Sequence, residues 1–143
     1  AGVILDGFPR TRAQAEVLDR VLAEGGRAVE RALYVDVPAE ELVRRMAGRR
    51  ICQANGHPYN LATNPPASPG VCDLDGSPLI QRADDREETV RKRMDDQVPP
   101  LMEVVDHYRA ARVLQPVDGR GDIEQVTAAI LDAIGSSLPA ELA

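Results

Sequence analysis

The first fourteen residues constrain this chain more than any other part of it. An uninterrupted apolar run from Gly2 to Leu5 ends in Asp6-Gly7, turns through Phe8-Pro9-Arg10 and enters a helical pattern at Thr11. Apolar residues without polar alternation predict a strand buried on both faces, as in a parallel sheet. Thr11-x-x-Gln14 is a capping box, with apolar residues at positions 15, 17, 18, 21 and 22 and a stop at Gly25-Gly26. The same grammar then repeats. Ala32 to Val37 reads as a second strand, Pro38 suits a first helical position, and Glu40 to Met46 continues that helix. Val113 to Val117 reads as a third strand ending in Asp118-Gly119, and Asp122-x-x-Gln125 caps a last helix through Ile134, with a frayed tail from Gly135.

Strands alternating with helices imply a parallel sheet covered by helices, with ligands at the carboxyl ends of the strands. Here those ends carry Asp6-Gly7, Asp36 and Asp118-Gly119. Between the second and third strands the pattern breaks. Residues 51–79 are rich in Gly, Pro, Asn and Asp and have no helical period. Asp85-x-x-Glu88 predicts a helix through about Asp96, interrupted by Pro99-Pro100 and resumed from Leu101 to Ala111. The expected architecture is α/β, with a core over residues 1–143 and an inserted subdomain at residues 50–83. No internal repeat is evident.

Charge narrows the partners. A net charge of -6 argues against general nucleic-acid binding but permits a local basic pocket. Sixteen of the 17 cationic side chains are arginines, Lys92 being the exception. A base-composition bias explains that ratio as well as a need for bidentate grips on phosphate does. No apolar run approaches the ~18 residues of a membrane helix. Two cysteines, Cys52 and Cys72, do not make a disulfide framework. The cytoplasm is the expected compartment. The start at Ala1, in mid-strand, suggests a truncated chain.

At the first strand end, Asp6 reaches the sheet edge, Gly7 allows close approach to the backbone, Phe8-Pro9 suits a cis bond, and Arg10 offers a fork for phosphate. Each residue alone is explained equally well by an ordinary strand–turn–helix junction. Arg45 and Arg49 share a helix face, and no acid is read at matching positions of that helix. A solvated basic face is the usual explanation of such a pair.

The string Val3-Ile4-Leu5-Asp6-Gly7-Phe8-Pro9-Arg10-Thr11-Arg12-Ala13-Gln14 resembles the nucleoside monophosphate kinase signature at every specified position. With the long insertion, the chain is similar to the C-terminal portion of an adenylate kinase. The resemblance covers residues 1 to about 135. It implies a partial P-loop kinase three-layer fold, with three of five parallel strands present and the insertion as the lid. It implies the reaction ATP + AMP ⇌ 2 ADP with magnesium. Arg10 would bind the AMP phosphate, Gln14 and the Gly7 backbone would line the AMP pocket, and Asp6 would help order magnesium through water. Arg45 would stack on the donor adenine. Arg49, Arg82 and Arg93 would grip the transferring phosphates, Arg82 and Arg93 also serving AMP. Asp84 and Asp85 would pair with lid arginines. Tyr59 belongs to the lid on the ATP side, and the loop of Gly119 and Gly121 would offer backbone groups to the donor base.

Cys52-x-x-Asn55 and Cys72-x-x-Asp75 fall at the spacing of the zinc lids of many bacterial members. Cys52, Cys72 and Asp75 are suitable zinc ligands, but Asn55 is a poor one. The expected balance is a metal-free lid held by hydrogen bonds and packing. His57 and Asn60 receive no role. GTP:AMP phosphotransferase is the close rival reading, whereas the short lid of UMP/CMP kinases disfavours them. No G-x-x-x-x-G-K-[ST] string occurs in these residues. In the family that strand lies between the strands beginning near residues 2 and 32. Without it the isolated chain is expected to fold poorly, aggregate or lack activity, which leaves a non-catalytic nucleotide-binding fragment as the alternative.

Overall fold

The computed structural model describes residues 2–135, which divide into two units. The first comprises residues 2–36 and 95–135, and the second runs from Val37 to Met94.

In the first unit, Thr11 caps α1 (Arg12–Glu24), its hydroxyl accepting from the Gln14 amide at 3.3 Å. β1 (Ala32–Asp36) lies parallel to β5 (Leu114–Asp118), in a register that sets Ala32 opposite Leu114 and Asp36 opposite Asp118. Both strands therefore end at one level, and the Gly119 amide donates to the Asp36 carbonyl at 2.8 Å. α4 (Ile123–Gly135) begins at a complete capping box: Gln125 N donates to Asp122 Oδ1 at 2.8 Å, and Asp122 N donates to Gln125 Oε1 at 3.1 Å. Ala15, Val104, Val105, Tyr108 and Leu114 form the core, joining α1, α3 (Glu87–Ala110) and the sheet. The carboxylate of Asp19 on α1 meets Nε2 of His107 on α3 at 2.7 Å and accepts from the Tyr108 hydroxyl at 3.5 Å.

The predicted first strand needs correction. Among the described residues, positions 2–6 belong to no strand, and Val3, Ile4 and Leu5 are exposed, Ile4 by 90%. An extended segment becomes a strand only where a neighbour takes up its N–H and C=O groups. No described strand pairs with this one, so the parallel sheet has two strands rather than three. The architecture is still mixed α/β, as expected of a partial P-loop kinase fold.

The second unit opens with α2 (Ala39–Ala47). A small antiparallel sheet follows, in which β2 (Arg49–Cys52) lies between β3 (Pro58–Asn60) and β4 (Leu79–Ile80). A 3₁₀ turn at Ala83–Asp85 leads to the first residues of α3. The expected break at Pro99-Pro100 is absent, because α3 runs through both prolines. Each proline removes one helical N–H and crowds the carbonyl four residues back. Those carbonyls belong to Asp95 and Asp96, which are exposed, so water can satisfy them. The frayed tail expected beyond Gly135 lies outside the described residues. No helix among those residues is long and apolar enough to cross a membrane.

Candidate functional site

The first unit carries the loop between the apolar segment and α1. Phe8-Pro9 is cis, as the sequence suggests. Gly7 has φ 68°, and a Cβ there would sit 3.0 Å from Arg10 Nη2. Arg10 is exposed and donates from Nε to the Gly7 carbonyl at 2.7 Å, which aims the guanidinium back across the loop. Gln14 Oε1 accepts from the Arg10 backbone N–H at 2.8 Å. The Gln14 oxygen thus holds the loop shape at Arg10, one residue before the cap rather than on the Thr11 N–H of a full capping box, and this competes with base reading. Asp6 is exposed at the start of the turn.

The loop after β5 lies in the same unit. Gly119 is buried, and Arg120 clamps Asp118 through contacts of 2.7–3.1 Å. That ion pair and the Arg120 backbone N–H hold the Asp118 carboxyl down at about 2. A Cβ on Gly121 would lie 2.7 Å from Gln125 Oε1, the acceptor of the capping box.

The second unit carries the candidate arginines, and three of the four, Arg45, Arg49 and Arg82, are met by a carboxylate. Arg49 forks onto Asp85, with Nε donating to Oδ2 at 2.8 Å and Nη2 donating to Oδ1. Asp85 is 1% exposed at its side chain and Arg49 38%. The hydrogen bond to Asp85 raises the Arg49 guanidinium above its ordinary value, against the opposing effect of burial. Arg82 pairs with Asp84 at 2.9 Å, so both acids find the arginine partners expected of them. Arg45 pairs with Glu41 at 2.6 Å, and Arg44 with the same carboxylate at 2.7 Å. The expectation of an uncompensated helix face carrying Arg45 and Arg49 is therefore corrected: Glu41 lies one turn before Arg45, at the i,i+4 spacing, and Arg49 lies past the end of α2, on β2. Arg93 lies on α3 within this unit, half-buried.

The remaining cluster lies beyond β2. Cys52 Sγ, His57 Nδ1, Cys72 Sγ and a carboxylate oxygen of Asp75 all lie within 4.8 Å of one another. Asp75 Oδ2 is 3.1 Å from Cys52 Sγ and 3.4 Å from His57 Nδ1, and His57 Nδ1 is 3.3 Å from Cys72 Sγ. Asn55, Ser77 and Cys52 all donate to Asp75, and the Asn55 amide does most to hold its carboxyl far below the usual range. Burial alone would raise the Cys72 thiol. Donation from Tyr59, His57 and the Leu74 and Asp75 amides outweighs it, leaving the thiol below its ordinary value. Tyr59, expected on the ATP side, is buried, with its hydroxyl 3.5 Å from Cys72 Sγ and accepting from the Asp73 amide at 2.8 Å. The same cluster of Cys52, Tyr59 and Cys72, packed by Leu79, is the apolar core of this part of the chain.

The model of the family described as adenylate kinase matches residues 1–113. The chain belongs to the adenylate kinase family. It is 44% identical over 134 residues to the adenylate kinase of Bacillus subtilis, a match covering 94% of this chain and 62% of that one. It is 47% identical over 133 residues to that of Lysinibacillus sphaericus, covering 93% and 61%, and 43% identical over 134 residues to that of Caldicellulosiruptor bescii, covering 94% and 62%. The chain thus spans about three fifths of the length of the curated relatives it matches.

Within this adenylate kinase family member, sequence reasoning overlooked His57. Three of the four clustered side chains were candidates already, and His57 supplies the fourth donor in place of Asn55. The signal was available: His57 stands five residues after Cys52, in a Gly-x-Pro setting that recurs five residues after Cys72. Asn60 also acquires a role. Its amide donates to the Arg45 carbonyl at 2.8 Å, and its Oδ1 accepts from Ala62 N at 3.0 Å, fastening the loop after β3 to α2. Tetrahedral zinc with bonds of ~2.0–2.3 Å separates its donor atoms by about 3.3–3.8 Å. The three contacts of 3.1–3.4 Å within the cluster are close to that spacing, so two thiols, an imidazole and a carboxylate fit the ion.

Proposed function

We propose that this chain supplies the acceptor loop, the donor-base loop and the lid of an adenylate kinase acting on ATP and AMP in the cytoplasm as a monomer. The observation that carries the reading is the unbroken signature from Asp6 to Gln14 on a loop that opens a thirteen-residue helix. The Nε–H of Arg10 is spent on Gly7, which leaves the terminal amino groups of its fork for a phosphate beside the positive end of α1. In this reading Gly7 and Gln14 line the AMP pocket. Magnesium arriving with ATP neutralises charge on the β and γ oxygens, and Asp6, exposed and single, suits an outer partner reached through water.

Arg49, Arg82 and Arg93 stabilise the charge that spreads over the transferring group. Asp85 and Asp84 serve them by fixing two of the three forks in advance. The family resemblance assigns Arg45, and separately the Gly119 and Gly121 loop, to the donor base. Cys52, His57, Cys72 and Asp75 hold zinc in a site closed by four protein ligands, a structural rather than a reacting centre. These 143 residues contain no G-x-x-x-x-G-K-[ST] string, and by themselves we expect them to turn over slowly or not at all.

The test is a coupled ADP-formation assay with AMP and magnesium, using ATP or GTP as donor. The chain is assayed alone and fused behind the part of the Bacillus subtilis relative that precedes the match. Strong ATP-dependent turnover only in the fusion supports the reading. A fusion that binds nucleotide without turnover sinks it, and a preference for GTP moves it to GTP:AMP phosphotransferase. Metal analysis after dialysis should find one zinc per chain.

A further inference from the structure

The lid contains one backbone turn twice. Cys52-Gln53-Ala54-Asn55-Gly56-His57-Pro58 and Cys72-Asp73-Leu74-Asp75-Gly76-Ser77-Pro78 share the pattern Cys, two residues, Asn or Asp, Gly, one residue, Pro. Their hydrogen bonds agree. Gly56 N donates to the Cys52 carbonyl at 2.9 Å, and Gly76 N donates to the Cys72 carbonyl at 2.9 Å. Cys52 N donates to the His57 carbonyl at 2.9 Å, and Cys72 N donates to the Ser77 carbonyl at 2.8 Å. Gly56 and Gly76 have φ of 71° and 72°. The expectation of no internal repeat is corrected at this scale.

The shared pattern makes Asn55 the counterpart of Asp75, and His57 the counterpart of Ser77. The first turn places its second metal-ligating side chain at the fifth place after the cysteine, and the second turn places its own at the third. What remains at the third place of the first turn is an amide, and it does not point away. Asn55 Nδ2 donates to Asp75 Oδ2 at 2.7 Å, while Ser77 N donates to Asp75 Oδ1 at 2.9 Å. Oδ2 is also the oxygen nearer Cys52 Sγ, at 3.1 Å against 3.4 Å for Oδ1, and the one 3.4 Å from His57 Nδ1. The terminal torsion of an aspartate is otherwise broad. Donors on both oxygens hold it in the orientation that presents Oδ2 to the ligand cluster. A neutral amide is a poor ligand, but its NH₂ is a good donor to one.

We propose that Asn55 is a positioning residue of the lid metal centre, acting through Asp75 rather than by ligation. This rests on the reading that the cluster binds a metal. The test uses Co²⁺, whose visible bands report tetrahedral thiolate ligation, on the full chain and on Asn55→Ala, Asp75→Ala and the double variant. Release to excess chelator is timed for each. The wild-type chain should take up one Co²⁺. Asn55→Ala should saturate with the same bands but release the ion about 10–100 times faster. Adding Asn55→Ala to Asp75→Ala should change release no further, since the two act through one contact. A wild-type chain that takes up no Co²⁺ overturns the metal reading and this proposal with it. Uptake by the wild-type chain with an unchanged release rate in Asn55→Ala overturns the positioning role alone. Additive effects in the double variant do the same, as does an Asn55→Ala chain that never develops the tetrahedral bands at saturating Co²⁺.

Discussion

The acceptor segment and the lid are both short and both poor in long regular elements, yet they meet the demands of the backbone in opposite ways. In the lid, backbone donors of the turns find carbonyls within a few residues or on the paired turn, as where Gln53 N donates to the Pro78 carbonyl at 2.9 Å. Its side chains do the same, with Asn60, Gln81 and Asp85 each tying two elements together. The segment from Gly2 to Leu5 has the opposite character: its residues are those of a buried strand, and its apolar side chains are exposed. The lid is specified by local contacts. The acceptor segment has none of these among the described residues, and an extended run becomes a strand only where a neighbour takes up its N–H and C=O groups.

The comparison can be broken by substitutions that separate chemistry from stability. Arg10→Ala should cost the active fusion about 10²–10³-fold in kcat/KM for AMP, the usual loss for one preorganised charge-stabilising donor. Because Arg10 is exposed, urea unfolding should barely move; a large loss of stability would mean that the acceptor loop is tied down in ways the fold does not reveal. Arg49→Ala should behave differently, leaving the buried Asp85 without its partner. Losing one member of a buried pair costs about 3–5 kcal/mol, and the partial exposure of Arg49 reduces this to about 2–3 kcal/mol, read by urea unfolding of the second unit. Arg49→Lys should recover less than half, since an ammonium cannot replace a two-pronged fork.

A smaller effect belongs to the first unit. Asp19→Ala should destabilise it by about 1–2 kcal/mol through the lost contacts with His107 and Tyr108. Burial first, and Asp19 second, push the Tyr108 hydroxyl up to about 12. Its titration, followed by ultraviolet absorbance, should therefore fall only part of the way toward 10 in the variant. The smallest effect is at Asp118. Its carboxyl is depressed to about 2 by Arg120, so any stability it lends is present above the ordinary aspartate range near pH 4 and lost as pH falls toward 2. Arg120→Ala should return the Asp118 titration, followed by carbon-detected NMR, toward its ordinary value with little change in stability at neutral pH.

Much of the fold was legible because its signals were local. Thr11 with Gln14 and Asp122 with Gln125 announced two helix starts that the structure keeps, and the strands at residues 32 and 113 appear within a residue or two. Two features were illegible because their causes were not local. The strand at residue 2 needed a partner, and α3 passes Pro99-Pro100 where the affected carbonyls are open to water. The antiparallel lid sheet escaped notice because strands of two to four residues leave no period to read. In the site, the pairing of Asp85 and Asp84 with arginines was implied by the family resemblance. Glu41 and His57 were missed although the spacing of the first to Arg45, and of the second to Cys52, was plain in the sequence.

The twin turns of the lid have a consequence for anyone who would redesign it. One backbone, used twice, offers a third and a fifth place after each cysteine, and the letters at those four places set the donors on offer: Asn55 and His57, Asp75 and Ser77. Exchanging the letters between turns, or moving a thiol from one place to another, would vary the ion this lid selects from soft to hard while leaving every backbone hydrogen bond of the scaffold where it stands. The preference of such a lid for one element over another is a four-letter word written on a reusable frame.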